Sequence, residues 1–158
     1  MSKLKGIIVP IITPMNEDES VNEKELRSQV NRQIENGIHG IFTFGTNGEG
    51  YILDEKEKEQ VLSIVVDEVR GRVPVYAGTG CISTRDTIRQ SQMGKALGAD
   101  VLSVITPSFA AASQNELYDH YRAVAEAVDM PIVLYNIPAR TGNALSPVTV
   151  GRLSKIDN

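Results

Sequence analysis

The chain has 158 residues, 41% of them hydrophobic and 23% charged, with a formal net charge of −4. That is enough for one soluble globular domain over residues 1–158 with a real core, and too apolar for a disordered chain. The negative balance speaks against a nucleic-acid partner, and a single cysteine, Cys81, excludes an internal disulfide framework and fits a reducing cytosol.

Residues 1–6 and the proline-interrupted apolar run behind them read as neither a signal peptide nor a membrane span, so no membrane partner is expected. The first strand is predicted over 6–12, followed by a polar loop over 14–22. A helix then starts on a capping box of Ser20 and Glu23, carries Leu26, Val30 and Ile34, and stops at Gly37. Strand two covers 40–44. The second helix starts at Asp54 and Glu57, carries Val61, Leu62, Val65 and Val69, and ends before Gly71. Strand three covers 73–77, and Thr84 caps a helix with Ile88 and Leu97 inward and Gly98 as its stop; Gln90, Ser91 and Gln92 dilute this stripe. Strand four covers 101–105, and Ser113 and Glu116 open a helix with Leu117, Tyr121, Val124 and Val128 on one face. Strand five covers 132–135, and Ser146 with Pro147 starts a last helix carrying Val150 and Leu153.

The runs are continuous rather than alternating, as strands covered on both faces of a parallel sheet require. From strand two onward they recur at roughly thirty residues, the length of a βα unit. The chain is therefore a βα series. It is too short for a closed (β/α)8 barrel, which needs at least ~200 residues. A doubly wound open sheet and an incomplete barrel both fit.

In parallel α/β proteins ligands sit at the C-terminal strand ends. Thr13 and Pro14 follow strand one, and Gly45-Thr46-Asn47-Gly48-Glu49-Gly50 follows strand two. Three glycines in six positions let backbone N–H groups converge on an anion, with Thr46 and Asn47 adding donors. The spacing matches neither a dinucleotide fingerprint nor a Walker A loop, which favours a small anion such as a carboxylate. A plain tight turn leading into a helix is the other reading. Gly78-Thr79-Gly80 and Thr106-Pro107-Ser108-Phe109 follow strands three and four.

Tyr135 ends strand five, where a phenol could relay a proton or simply pack. Arg140 stands in an otherwise uncharged loop and could fork onto a carboxylate or face solvent. Glu49 reads as a charge near a helix N-terminus. With His39 and His120 apart and one cysteine, no metal site is expected.

Gly45-Thr46-Asn47-Gly48-Glu49 and Tyr135-Asn136-Ile137-Pro138-x-Arg140-Thr141-Gly142, with Val9-Pro10-x-x-Thr13-Pro14 and Val104-x-Thr106-Pro107, resemble the dihydrodipicolinate synthase / N-acetylneuraminate lyase family along the whole chain. The resemblance implies an α/β fold, an incomplete (β/α)8 TIM barrel of about five βα units, taken from proteins that are usually homotetramers. It implies a pyruvate-dependent lyase or aldolase that works through a lysine Schiff base and needs no metal or organic cofactor. By resemblance Thr46 and Asn47 would hold the pyruvate carboxylate on their backbone amides, and the Thr46 hydroxyl would join a proton relay. Tyr135 would protonate and deprotonate the covalent intermediate. Arg140 would meet the carboxylate of the second substrate, as in the synthase branch.

Two departures stand out. The family usually places a tyrosine second after Thr-Pro, reaching into a neighbouring subunit; here Ser108 and Phe109 stand there, and Phe109 keeps a ring that cannot pass a proton. Asn47 replaces the commoner threonine but keeps its amide. The Schiff-base lysine of the family lies on a sixth strand, expected to start near 160. Lys3, Lys5, Lys24, Lys56, Lys58, Lys95 and Lys155 are the lysines present, and none ends a predicted strand. The expectation is a truncated family member, inactive by itself, with pyruvate or another 2-oxoacid as ligand. A non-catalytic oxoacid-binding or assembly partner is the alternative, forming a homo-oligomer or joining a complementing chain over its exposed sheet edges. An open α/β domain for phosphate or nucleotide is a third.

Overall fold

Five parallel strands and six helices occupy residues 4–158, the part of the chain that the computed structural model describes. Their contacts divide them into two units: one runs up to Gly78 and takes in Leu97–Asp100, and the other holds Thr79–Ala96 and Val101–Asn158.

In the first unit, β1 (Ile8–Pro10), β2 (Gly40–Thr43) and β3 (Val75–Gly78) pair in parallel, with Ile8 opposite Gly40 and Ile41 opposite Val75. Ile41, Thr43, Val75, Tyr76 and Ala77 are buried, which explains their continuous run of apolar or small residues. β1 is half-buried and ends on Pro10, a residue that a sheet tolerates at an edge.

Helix α1 (Glu23–Glu35) buries Leu26 and Val30, each of which contributes roughly 1.5–3 kcal/mol. Its cap differs from the expected one. Asn22, not Ser20, closes the N-terminus, with its side chain accepting from the Glu25 N–H at 3.0 Å. Ser20 is engaged elsewhere: its hydroxyl donates to Asp18 at 2.6 Å, inside a small turn closed by the antiparallel bridge of Met15 and Val21. Helix α2 (Glu55–Val69) has the expected capping box of Asp54 and Glu57, and Val61, Leu62, Val65 and Val69 are its buried face.

In the second unit, β4 (Val101–Ile105) and β5 (Ile132–Tyr135) pair in parallel, from Leu102 opposite Ile132 to Ile105 opposite Tyr135. Helix α3 (Thr84–Ala96) departs from expectation in two ways. Ser83 accepts from the Asp86 N–H at 3.1 Å, the bond expected of Thr84, whose hydroxyl instead meets His120 Nδ1 at 2.9 Å. The buried face is Thr87, Gln90, Ser91 and Gly94, while Ile88 and Leu97 are only half-buried. Hydroxyl pairing makes this polar face buriable: Ser91 meets Thr79 at 2.9 Å, and Thr87 donates to the Ser83 carbonyl at 2.9 Å.

Helix α4 (Gln114–Ala127) has the Ser113–Glu116 capping box and buries Leu117, Tyr121 and Val124, with Val128 just beyond. An unexpected helical turn, α5 (Pro138–Thr141), follows β5, begun by proline and ended by Gly142 at φ 76°. Helix α6 (Pro147–Leu153) is capped by Ser146 as expected; Leu153 is buried but Val150 is exposed, and Thr149 takes the inward place. Asn158 is sewn back onto the turn before β5: its amide donates to the Ala125 and Val128 carbonyls, and its own carbonyl accepts from Ile132 N–H at 3.4 Å.

Among the described residues no helix is long and apolar enough to cross a membrane, and no group of three His, Cys, Asp or Glu is placed to hold a metal.

Candidate active-site loops

The loop after β2 belongs to the first unit. It folds on itself, the Gly48 and Gly50 N–H groups both donating to the Gly45 carbonyl and the Glu49 N–H to the Thr46 carbonyl. Thr13, in the segment that follows β1, donates its hydroxyl to the Gly48 carbonyl at 2.7 Å. The glycines are there for space rather than for unusual backbone angles. A Cβ on Gly48 would stand 2.7 Å from the Ile11 carbonyl, and one on Gly50 would run into the Phe44 backbone. The left-handed positions fall instead on Phe44 (φ 62°) and Glu49 (φ 53°), a strained choice for side-chain-bearing residues. Thr46 is half-buried and Asn47 exposed at the turn. Glu49 lies in this turn, short of α2; the acidic residues of the first turn of α2 are Glu55 and Glu57.

The second unit carries Tyr135, Arg140 and the Thr-Pro loop. Tyr135 is the half-buried last residue of β5, and its carbonyl accepts from the buried Thr106 N–H at 3.2 Å. Arg140 is exposed on the single turn of α5, where its N–H donates to the Ile137 carbonyl at 2.9 Å. Thr141, the next residue, meets Thr106 hydroxyl to hydroxyl at 2.8 Å, and both hydroxyls also reach the Asn143 carbonyl. Phe109 is 97% exposed at φ 78°. Asn143 escaped sequence reading. Its side-chain partners all lie more than thirty residues back in the chain, so no local pattern could have marked it.

Thr46 and Asn47 thus lie in one unit, Tyr135 and Arg140 in the other. His39 is exposed, with Nδ1 accepting from the Ile7 N–H at 3.0 Å. Cys81 is half-buried, its thiol against the Thr79 carbonyl. His120 is buried in α4, and burial lowers its pKa below the ordinary 6.5. Lys5, Lys24, Lys56, Lys95 and Lys155 are exposed and Lys58 half-buried; none of these stands on a strand, and Lys3 lies outside the described residues.

A family-wide comparison decides what these loops belong to: the dihydrodipicolinate synthetase family matches residues 3–158. The chain belongs to that family. A 4-hydroxy-tetrahydrodipicolinate synthase of Pelobacter propionicus is 49% identical over 154 residues, covering 98% of this chain and 53% of that protein. One of Methanopyrus kandleri is 42% identical over 154 residues, covering 97% and 51%. The crystal structure of the chloride-inhibited dihydrodipicolinate synthase from Acinetobacter baumannii, complexed with pyruvate, superposes with a TM-score of 0.97 at 42% identity, covering 99% of this chain and 54% of that one. The fold class is therefore the expected α/β series of an incomplete (β/α)8 barrel. The chain spans about half the length of the curated relatives it matches.

Proposed function

We propose that this chain is part of a pyruvate-dependent lyase of the aldolase type, resembling 4-hydroxy-tetrahydrodipicolinate synthase, that works through a lysine Schiff base. The observation that carries the reading is the 45–50 loop, folded on the Gly45 carbonyl at the C-terminal end of β2 and tied to Thr13, in a chain of this family. The backbone amides of Thr46 and Asn47 take the carboxylate of pyruvate or another 2-oxoacid, and the Thr46 hydroxyl passes a proton. Tyr135 supplies the phenol that protonates and deprotonates the covalent intermediate. Arg140, a planar two-pronged donor, receives the carboxylate of the second substrate. Neither a metal nor an organic cofactor enters.

The nucleophile is not one of the seven lysines of this sequence. Borohydride trapping with pyruvate is therefore expected to leave the chain unmodified, while pyruvate shifts the Thr46 and Asn47 amide signals in a nitrogen–proton correlation spectrum. A stable adduct mapped to any of the seven lysines sinks the assignment of the nucleophile, and unmoved amides sink the carboxylate loop. We further propose a cytosolic setting and association, as a homo-oligomer or with a complementing chain. Exposed Ile7 and Ile12 flanking β1 support association. Size-exclusion chromatography with light scattering tests it, and a stable monomer overturns it.

A further inference from the structure

We propose that Asn143 is a positioning residue that holds the Ser108–Phe109 loop and the Arg140 turn as one piece. The residue is 4% exposed, and both amide N–H groups and the amide oxygen of its side chain are hydrogen-bonded. The amide nitrogen donates to the carbonyls of Pro107 and Ala110, each at 2.8 Å, and the amide oxygen accepts from the Ala112 N–H at 2.8 Å. Three backbone groups of the 107–112 loop are thus satisfied by one side chain. Phe109 lies between the two carbonyls in a left-handed conformation that disfavours a bulky residue, so the loop needs holding to keep it.

The backbone of the same residue serves the other side. Its carbonyl accepts from Thr106 at 3.2 Å and from Thr141 at 3.0 Å, and its N–H donates to the Thr141 hydroxyl at 3.3 Å. Thr141 follows Arg140 directly and closes α5. Displacing Asn143 therefore loosens the Phe109 loop and the arginine turn together. Any carboxylate bound by Arg140 would lose its fixed partner, while the 45–50 loop stays untouched. The ligand consequence rests on the reading of Arg140 given above; the clamp itself rests on the hydrogen bonds alone.

The test compares the chain with Asn143→Ala and Asn143→Asp. The alanine variant removes all three side-chain bonds, and the aspartate keeps only the acceptor for Ala112. Each lost bond favours opening by about two- to tenfold. Hydrogen exchange is expected to quicken in Asn143→Ala at Ala110, Ala112, Thr141 and Gly142, leaving the Val124 amide in α4 slow. In Asn143→Asp, Ala112 protection returns while Ala110 stays fast. Succinate, a dicarboxylate without a carbonyl to attack, is expected to shift the Arg140 Nε–H signal in the parent chain and to bind about tenfold more weakly in Asn143→Ala. Pyruvate shifts at Thr46 stay unchanged. Exchange that quickens on one side only, or equally throughout α4, overturns the clamp, as does unchanged succinate binding when both loops have loosened. If succinate and pyruvate leave the parent spectrum unmoved, the functional reading fails and takes the ligand role of Asn143 with it. The exchange pattern then still decides whether the clamp exists.

Discussion

The Thr13 hydroxyl donates to the Gly48 carbonyl at 2.7 Å, joining the segment after β1 to the glycine loop that follows β2. One bond between residues 35 apart fixes the carbonyl of the buried Gly48 and restrains the turn. Thr13→Val keeps the shape and removes the donor. It is expected to cost about 1 kcal/mol in urea unfolding and to weaken the pyruvate-induced shifts at Thr46 several-fold. A variant with parent-like stability and parent-like shifts would show that the loop holds itself.

Glycines at two kinds of position make opposite predictions. Gly48 has no room for a Cβ beside the Ile11 carbonyl, whereas Gly37 has open space but a left-handed backbone at φ 79°. Gly48→Ala is expected to destabilise by roughly 1–3 kcal/mol through overpacking, and Gly48→Asn by no less. Gly37→Ala is expected to cost about 1–2 kcal/mol, much of it recovered by Gly37→Asn, because asparagine tolerates the left-handed region. Urea midpoints of the four variants check this; recovery by asparagine at Gly48 would show that angle rather than space governs there.

Much of the architecture was legible in the sequence because burial on both faces forces continuous apolar strands, and because a capping box places complementary groups three residues apart. Asp54–Glu57, Ser113–Glu116 and Ser146-Pro147 all act as read. Ser20 misled because a local turn claimed its hydroxyl, which only the Met15–Val21 bridge reveals. The inward face of α3 was illegible for a different reason: Thr87, Gln90 and Ser91 are polar, and Ser91 and Thr87 are made buriable by the Thr79 hydroxyl and the Ser83 carbonyl, pairings that no apolar stripe marks. The loop residues Thr46, Asn47, Tyr135 and Arg140 were singled out by type and place, but Asn143 was not. Its role lies in whom it bonds across more than thirty residues of sequence, and no periodicity records that.

Tyr121 offers a clean measure of one buried hydrogen bond. Its hydroxyl donates to the Val104 carbonyl at 3.1 Å, and burial raises its pKa above the ordinary 10. Tyr121→Phe is expected to cost about 1 kcal/mol near neutral pH. The folded state favours the protonated phenol, so the stability it contributes is fully present below about pH 10 and declines as the unfolded chain ionises above it. The phenylalanine variant is expected to show a shallower alkaline decline in thermal unfolding. An equal slope in both proteins counts against a buried, neutral Tyr121.

His120 sets the behaviour on the acid side. It is 6% exposed, Nδ1 meets the Thr84 hydroxyl at 2.9 Å, and Nε2 is buried without a hydrogen-bond partner among the described residues. Neither nitrogen has a carboxylate to steady a charge, so burial alone acts and lowers the pKa below 6.5. In the window between that lowered value and 6.5 the unfolded chain binds more protons than the folded one. Stability therefore rises with pH there, by at most about 1.4 kcal/mol per pH unit for one proton, and is lost as pH falls from 6.5. The carboxylates of Asp18, Glu68, Asp86 and Glu116 are all held below their ordinary values by hydrogen bonds, so their own acid losses come at lower pH. Asn can meet the Thr84 hydroxyl in place of Nδ1, as donor or acceptor, without a titrating ring. His120→Asn is expected to be less stable at pH 7.5, through the cavity it leaves, yet to show a flatter profile from pH 6.5 down to 5. Urea midpoints across that range decide the point: if the parent and the variant lose stability in parallel, His120 is already charged in the fold and its burial does not govern the acid limb.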